Sequence, residues 1–285
     1  MSAQKQSLKL QPEQIIVEFR GYLYEREKAA STIEKYMTDV KTFLSYLDMD
    51  YWVDKPKIME YKEWLCKNYA PASVNSMLAS LNQMLEFLGA SSLKVKRIKI
   101  QSQTFLADGK EMSKEEYKRL LSAAREKSEQ LAMGIETLAV TGARISELAY
   151  FTVENVKKGF VEIVNKGKHR TILLSDSLRR KLLYYAVKQE IKRGHIFITR
   201  NGRPKNRSNF WREMKALKES ANVAGEKIFP HNLRHLFARL FYKQTKDLTG
   251  LADLLGHSSL DTTRIYTASS SRHYKKEIEN MELLM

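Results

Sequence analysis

Residues 251–267 read LADLLGHSSLDTTRIYT, and the meaning of the rest of the chain turns on this stretch. Its leucines sit at helical spacing over a helix predicted at 248–255. Gly256 closes that helix, since glycine enters the left-handed region without a Cβ penalty. Ser258 or Ser259 then caps a second short helix, predicted over 258–266, which carries Tyr266 nine residues beyond His257. A tyrosine so placed is more often a core or interface residue than a reagent. Its meaning therefore depends on what the chain brings near it.

Three other segments bear on that question. HNLRH, 231–235, sets His231 and Arg234 three apart, on one face of a helix that Pro230 begins. A guanidinium beside an imidazole at a helix N-terminus suits a phosphate, although the same pattern also arises as a solvated charge pair. TGARISEL, 141–148, ends one helix at Gly142 and starts the next at Arg144, again near free amide donors. FVEIV and TILL, within 160–174, flank the polar run NKGKH and read as a hairpin carrying Lys166 and Lys168. Hairpin lysines are ordinarily solvated, but one on a flexible tip can reach a groove. A phosphodiester attacked without metal or nucleotide needs a nucleophile, cations around the phosphate and a proton donor for the leaving oxygen. The four segments hold all three.

Composition points the same way. The 285 residues carry a net charge of +16, which makes a polyanion the natural partner, nucleic acid ahead of an anionic membrane. Residues 1–100 hold 15 Lys and Arg against 12 Asp and Glu, leaving 34 against 21 for the remainder, so the basic excess lies in the C-terminal two-thirds. The single cysteine, Cys66, excludes an internal disulfide and a Cys-rich zinc site. No signal peptide and no apolar run of membrane length is present, and a soluble, cytoplasmic protein without membrane contact is expected.

Toward the N-terminus, helical spacing predicts helices over 11–28, from Ser31 (with STIE as a capping box), over 57–68, and from Ser73 to Gly89. Four helices in about ninety residues make a small helical domain. LKVKRIKI then alternates Lys94, Lys96, Arg97 and Lys99 with apolar residues. The segment reads either as an edge strand with a solvated face or as a basic connector along a phosphate backbone. Beyond it, helices are predicted over 113–127, 128–140, 144–150, 176–192, 207–223, 231–243 and 271–284, with a short strand HIFIT at 195–199. The expected fold is mainly α, with a small β-hairpin in the second of two domains, 1–104 and 105–285.

In this order and with these neighbours, the four segments resemble the tyrosine recombinase (phage integrase) family: TGARISEL as its first arginine box, the hairpin lysine, HNLRH as its second box, and LADLLGHSSLDTTRIYT as its nucleophile box. STIEKYMTDVKTFLSYL and SVNSMLASLNQMLEFL look like its helical core-binding domain. The resemblance implies a core-binding domain with a basic linker, then an α+β catalytic domain ending in an exchange helix. It implies that Tyr266 attacks the scissile phosphate and leaves a 3′-phosphotyrosyl link. Arg144 and Arg234 hold the non-bridging oxygens, and His257 contacts the phosphate. His231 helps manage the nucleophile's proton, Lys166 protonates the departing 5′-oxygen, and Glu147 orients the arginines. Lys94, Lys96, Arg97, Lys99 and Lys168 are expected to touch DNA. Neither cofactor, metal nor ATP is implied, because the cations do the charge work and the phosphotyrosyl bond stores the energy of the broken diester.

The implied partners are double-stranded DNA with paired half-sites and three further copies of the chain, with room for an excisionase or a paralogous recombinase. The layout is similar to Xer-type enzymes and small mobile-element integrases. YTASSS after the nucleophile differs from the YTH common in Xer enzymes and leans toward integration and excision of a mobile element. Dimer resolution and inversion stay open. A type IB topoisomerase and an inactive DNA-binding regulator are the rivals, and Tyr274, Ile278, Met281 and Leu284 on the tail, an apolar stripe fit for a neighbouring subunit, argue for the recombinase. Two departures stand out. The hairpin turn is about one residue short, which leaves Lys166 against Lys168 open, and Leu236 and Arg239 replace small hydroxyl residues. His169, His195, His235 and His273 are read as structural or solvated.

Overall fold

The computed structural model describes residues 7–47, 50–99, 111–165, 168–257 and 259–264. The chain divides into two compact units, Met1–Ser102 and Gln103–Met285, each with its own apolar core.

In the first unit, α1 (Pro12–Glu25), α2 (Ala30–Tyr46), α3 (Lys55–Asn68) and α4 (Pro71–Phe87) bury one stripe each. Ile15, Phe19 and Leu23 line α1, and Val74, Met77, Leu78, Leu81, Met84 and Leu85 line α4. Phe19 is wholly buried, and truncating such a ring to alanine costs about 3–5 kcal/mol. A two-residue antiparallel pair, β1 (Leu8–Lys9) with β2 (Trp52–Val53), ties the start of the unit to the α2–α3 connection and was not foreseen. The predicted capping box at Ser31 does not form. The helix starts two residues earlier, from Ala29, without a side-chain cap, and Glu34 turns outward to Arg20 at 2.6 Å. The fourth helix likewise starts at Pro71 rather than Ser73.

The second unit opens on α5 (Lys114–Lys127), which has a complete capping box between Ser113 and Glu116, followed by α6 (Glu129–Thr141). A 3₁₀ turn (Ile145–Tyr150) and α7 (Val153–Lys158) lead to the antiparallel hairpin β3 (Phe160–Asn165) and β4 (Lys168–Leu173). Then come α8 (Asp176–Lys188), α9 (Arg207–Lys215), α10 (Pro230–Thr245), α11 (Leu248–Leu255) and the short α12 (Asp261–Arg264). Asn165 pairs with Lys168, so the strands run well into NKGKH and leave two residues between them. The HIFIT strand is not found. Only isolated bridges, Thr152 with His195 and Ile198 with Pro204, form there, because no neighbouring strand completes a ladder. Ile196 and Phe197 are buried all the same, as plugs in the core. The helix predicted to reach 223 stops at Lys215, and the following turns bury Leu217 and Ala221.

Among the described residues, no helix is long and apolar enough to cross a membrane.

Candidate active site

α6 carries the first arginine toward its place. Its Leu131, Ile135 and Leu138 lie in the core, and Gly134 lets the Phe210 ring approach to where a Cβ would stand, 2.3 Å away. The helix ends at Gly142, whose φ of +63° turns the chain out, and a Cβ there would meet the Phe237 ring at 2.5 Å. Arg144 follows two residues later. Its amide donates to Glu147 Oε2 at 2.7 Å and its guanidinium to Oε1 at 3.0 Å, while 43% of the side chain stays open to solvent. Glu147 therefore holds both the backbone and the head group of Arg144.

Arg234 lies at the base of the site and is only 1% exposed. It donates from Nη1 to the Gly142 carbonyl at 2.6 Å and from Nη2 to the Leu255 carbonyl at 2.7 Å. One guanidinium thus takes up the orphan carbonyls at the ends of α6 and α11, each left without an intrahelical donor. Its Nη2 also meets His257 Nε2 at 2.8 Å. An arginine has no acceptor, so Nε2 must accept, and the His257 proton lies on Nδ1, which donates to Thr263 Oγ at 2.8 Å. Desolvation, then Arg234 and Arg144, lower His257 to about 4, in keeping with a neutral ring.

His231 stands one turn before Arg234 on α10 and is exposed. Desolvation, then Arg234 and Arg144, hold it below its ordinary value. Its ring meets His235 edge-on at 4.8 Å between centroids. Burial, then His231, push His235 down to about 4. Arg239, one of the two departures from the family pattern, ties α10 to the start of the unit through the Glu111 carboxylate and the Met112 carbonyl.

Arg144, His231 and Arg234 line one cavity of about 440 Å³, together with Arg207, Ser208 and Trp211 from α9. The last three were not singled out from the sequence. Three arginines and a histidine line it, with no carboxylate among the described lining residues, which suits an anion.

Arg170 on β4 was also missed. It donates to both oxygens of Glu147, at 2.8 and 2.7 Å, and to the Leu254 carbonyl at 2.8 Å. It is the hidden partner that joins the first box to the last. Gly256 makes room for it, because a Cβ there would stand 2.5 Å from Arg170 Cδ. A signal was present: Arg170 shares the inward register with the buried Ile172, where an alternating strand rarely puts a charge. Lys166 and Tyr266 lie outside the described residues, as do the tail residues Tyr274, Ile278, Met281 and Leu284, and only the backbone of Lys168 is described.

Comparisons with known proteins identify the family. Residues 110–273 match the model of the phage integrase family. The chain is 28% identical to tyrosine recombinase XerD of Vibrio cholerae, over 94% of this chain and 96% of that one. It is 28% identical to tyrosine recombinase XerA of Pyrococcus furiosus, over 95% of each. Among solved structures it is similar to a lambda integrase tetramer bound to a Holliday junction, with a TM-score of 0.69 at 18% identity, covering 92% of this chain and 78% of that one. The family model spans more than half of the sequence, and the chain belongs to the phage integrase family of site-specific tyrosine recombinases.

Proposed function

We propose that the cavity at Arg144 and Arg234 receives the scissile phosphate of a DNA strand and that Tyr266 attacks it. The phenolic oxygen forms a bond to phosphorus, the bond to the 5′-oxygen breaks, and a 3′-phosphotyrosyl link remains; the freed 5′-hydroxyl of a partner strand reverses the step. Tyrosine has an ordinary pKa near 10, about three units above neutral, so ionising it costs roughly 4 kcal/mol. The surrounding cations offset that cost. Arg144 and Arg234 hold the non-bridging oxygens, His231 takes the phenolic proton, His257 supports the phosphate through Arg234, and Lys166 gives the 5′-oxygen its proton. Because the covalent link conserves the diester's energy, rejoining needs neither ATP nor a cofactor.

The observation that carries this reading is the single guanidinium of Arg234, which links the Gly142 carbonyl, the Leu255 carbonyl and His257 beside Arg144 and His231. The ends of α6 and α11 are thus brought to one place by a residue of α10. On this reading residues 1–104 grip DNA, 105–285 hold the chemistry, and four copies act on paired half-sites. Two relatives spanning nearly the whole chain and bearing the Xer name favour Xer-type recombination, while YTASSS favours integration and excision of a mobile element.

Tyr266→Phe tests the assignment. A duplex nicked beside the cleavage site traps covalent protein with the wild type, and the variant binds the same duplex without trapping. Covalent product from the variant refutes it, and efficient relaxation of supercoiled DNA by wild-type monomers without strand exchange points to a topoisomerase instead.

A further inference from the structure

Residues 94–99 are neither helix nor strand, yet several of their backbone groups are held by side chains. Asn82 donates from Nδ2 to the Val95 carbonyl at 2.8 Å and accepts the Val95 amide on Oδ1 at 2.9 Å. Asn75 does the same for Ile98, at 2.9 and 2.8 Å. Lys62 Nζ donates to the Lys96 carbonyl at 2.8 Å, and Lys55 Nζ donates to the carbonyls of Leu93, at 3.1 Å, and Lys94. The edge-strand reading of this segment is thereby corrected: each asparagine amide occupies the place of a neighbouring peptide group.

The spacing is a matter of register. Asn75 and Asn82 are two turns apart on α4, a rise of about 10.5 Å, and Val95 and Ile98 are three extended residues apart, about 10 Å. The strap runs back along α4 and seats Val95 in the core. Lys96, Arg97 and Lys99 are thereby left exposed, and none of the three has an ion pair among the described residues. Lys94 alone is engaged, with Glu86 at 2.6 Å. An irregular segment normally gives its backbone groups to water and stays mobile. Here two asparagines and two lysines are committed to holding it extended.

We propose that Asn75 and Asn82 are positioning residues that hold the 93–98 strap so that Lys96, Arg97 and Lys99 stand ready for the phosphates of duplex DNA. This rests on the reading of the basic segment as a DNA contact. Holding the strap in the free protein removes the ordering cost that a loose basic segment meets on binding.

A thermodynamic cycle with the full chain on a mixed-sequence DNA duplex separates the two ideas. Replacing Lys96, Arg97 and Lys99 together by Gln lowers the slope of log affinity against log salt by up to about 2.7, since each lost phosphate contact removes about 0.9. Replacing Asn75 and Asn82 by Leu exposes the Val95 and Ile98 amides to hydrogen exchange. It weakens binding roughly tenfold at every salt concentration and leaves the slope nearly unchanged, because the cations still find phosphate after being ordered. In the five-fold variant the Asn substitutions have no further effect, because the strap then has no cation to position. If the triple Gln variant keeps the wild-type slope, the segment does not contact DNA. If that slope falls but the Asn substitutions weaken the five-fold variant as much as the wild type, or not at all in either, the positioning role is overturned. A strap that keeps its exchange protection without the asparagines overturns it as well.

Discussion

Arg170→Met tests whether the charge network behind the site does more than hold the fold together. Arg170 and Glu147 have side chains only 9% and 8% exposed, and Arg170 gives Glu147 two hydrogen bonds and Leu254 one. Removing one partner of such a buried pair leaves the other charge under-compensated, at about 3–5 kcal/mol of stability. Glu147 retains the Arg144 amide and guanidinium, which sets the expected loss nearer 3 kcal/mol. Replacing both residues by Met removes the stranded charge, and a buried pair replaced by apolar side chains is often neutral. The double variant Glu147→Met with Arg170→Met therefore regains most of the stability. It does not regain activity, because Arg144 has then lost the acid that orients it. Urea unfolding and single-turnover cleavage of a nicked duplex, run on the same three proteins, read the two effects separately. Cleavage restored together with stability in the double variant, or cleavage at the wild-type rate in Arg170→Met, would refute a positioning role for the network.

Arg144→Ala and Arg234→Ala each slow cleavage by about 3–4 kcal/mol in barrier, while DNA affinity falls less because many other cations share the binding; equal losses in single-turnover rate and gel-shift affinity would make them ordinary DNA contacts. Lys166→Ala is rescued by a 5′-bridging phosphorothiolate, whose sulfur leaves without a proton, whereas Lys168→Ala shows a mild loss and no rescue; the reverse pattern moves the general acid to Lys168. Stability also depends on pH through His235 and His257, both of which fall from an ordinary 6.5 to about 4 in the folded protein. Between those values the unfolded chain binds protons that the folded one refuses, so stability present above about pH 6.5 is lost as the pH falls toward 4. His235→Gln flattens this part of the unfolding profile, and an unchanged profile would show that His235 does not contribute.

The sequence by itself determined the pieces whose signals are local. TGARISEL, HNLRH and LADLLGHSSLDTTRIYT each hold their residues at fixed spacing on a helix end, and helix ends are set by nearest neighbours such as Gly142, Pro230 and Gly256. The apolar stripes of α1, α2 and α4 were legible for the same reason. Only the tertiary structure decided what those pieces do to one another. Arg234 reaches the Gly142 carbonyl 92 positions away, and Arg170 reaches Leu254 across 84. No periodicity records such partners, because a buried charge is satisfied by whatever donor or acceptor the fold brings to it. HIFIT had a strand's composition but forms only isolated bridges, and LKVKRIKI found its partners in asparagine side chains instead of another strand. In both cases the local preference was for extended chain, and the availability of hydrogen-bond partners, a property of the whole fold, settled the outcome.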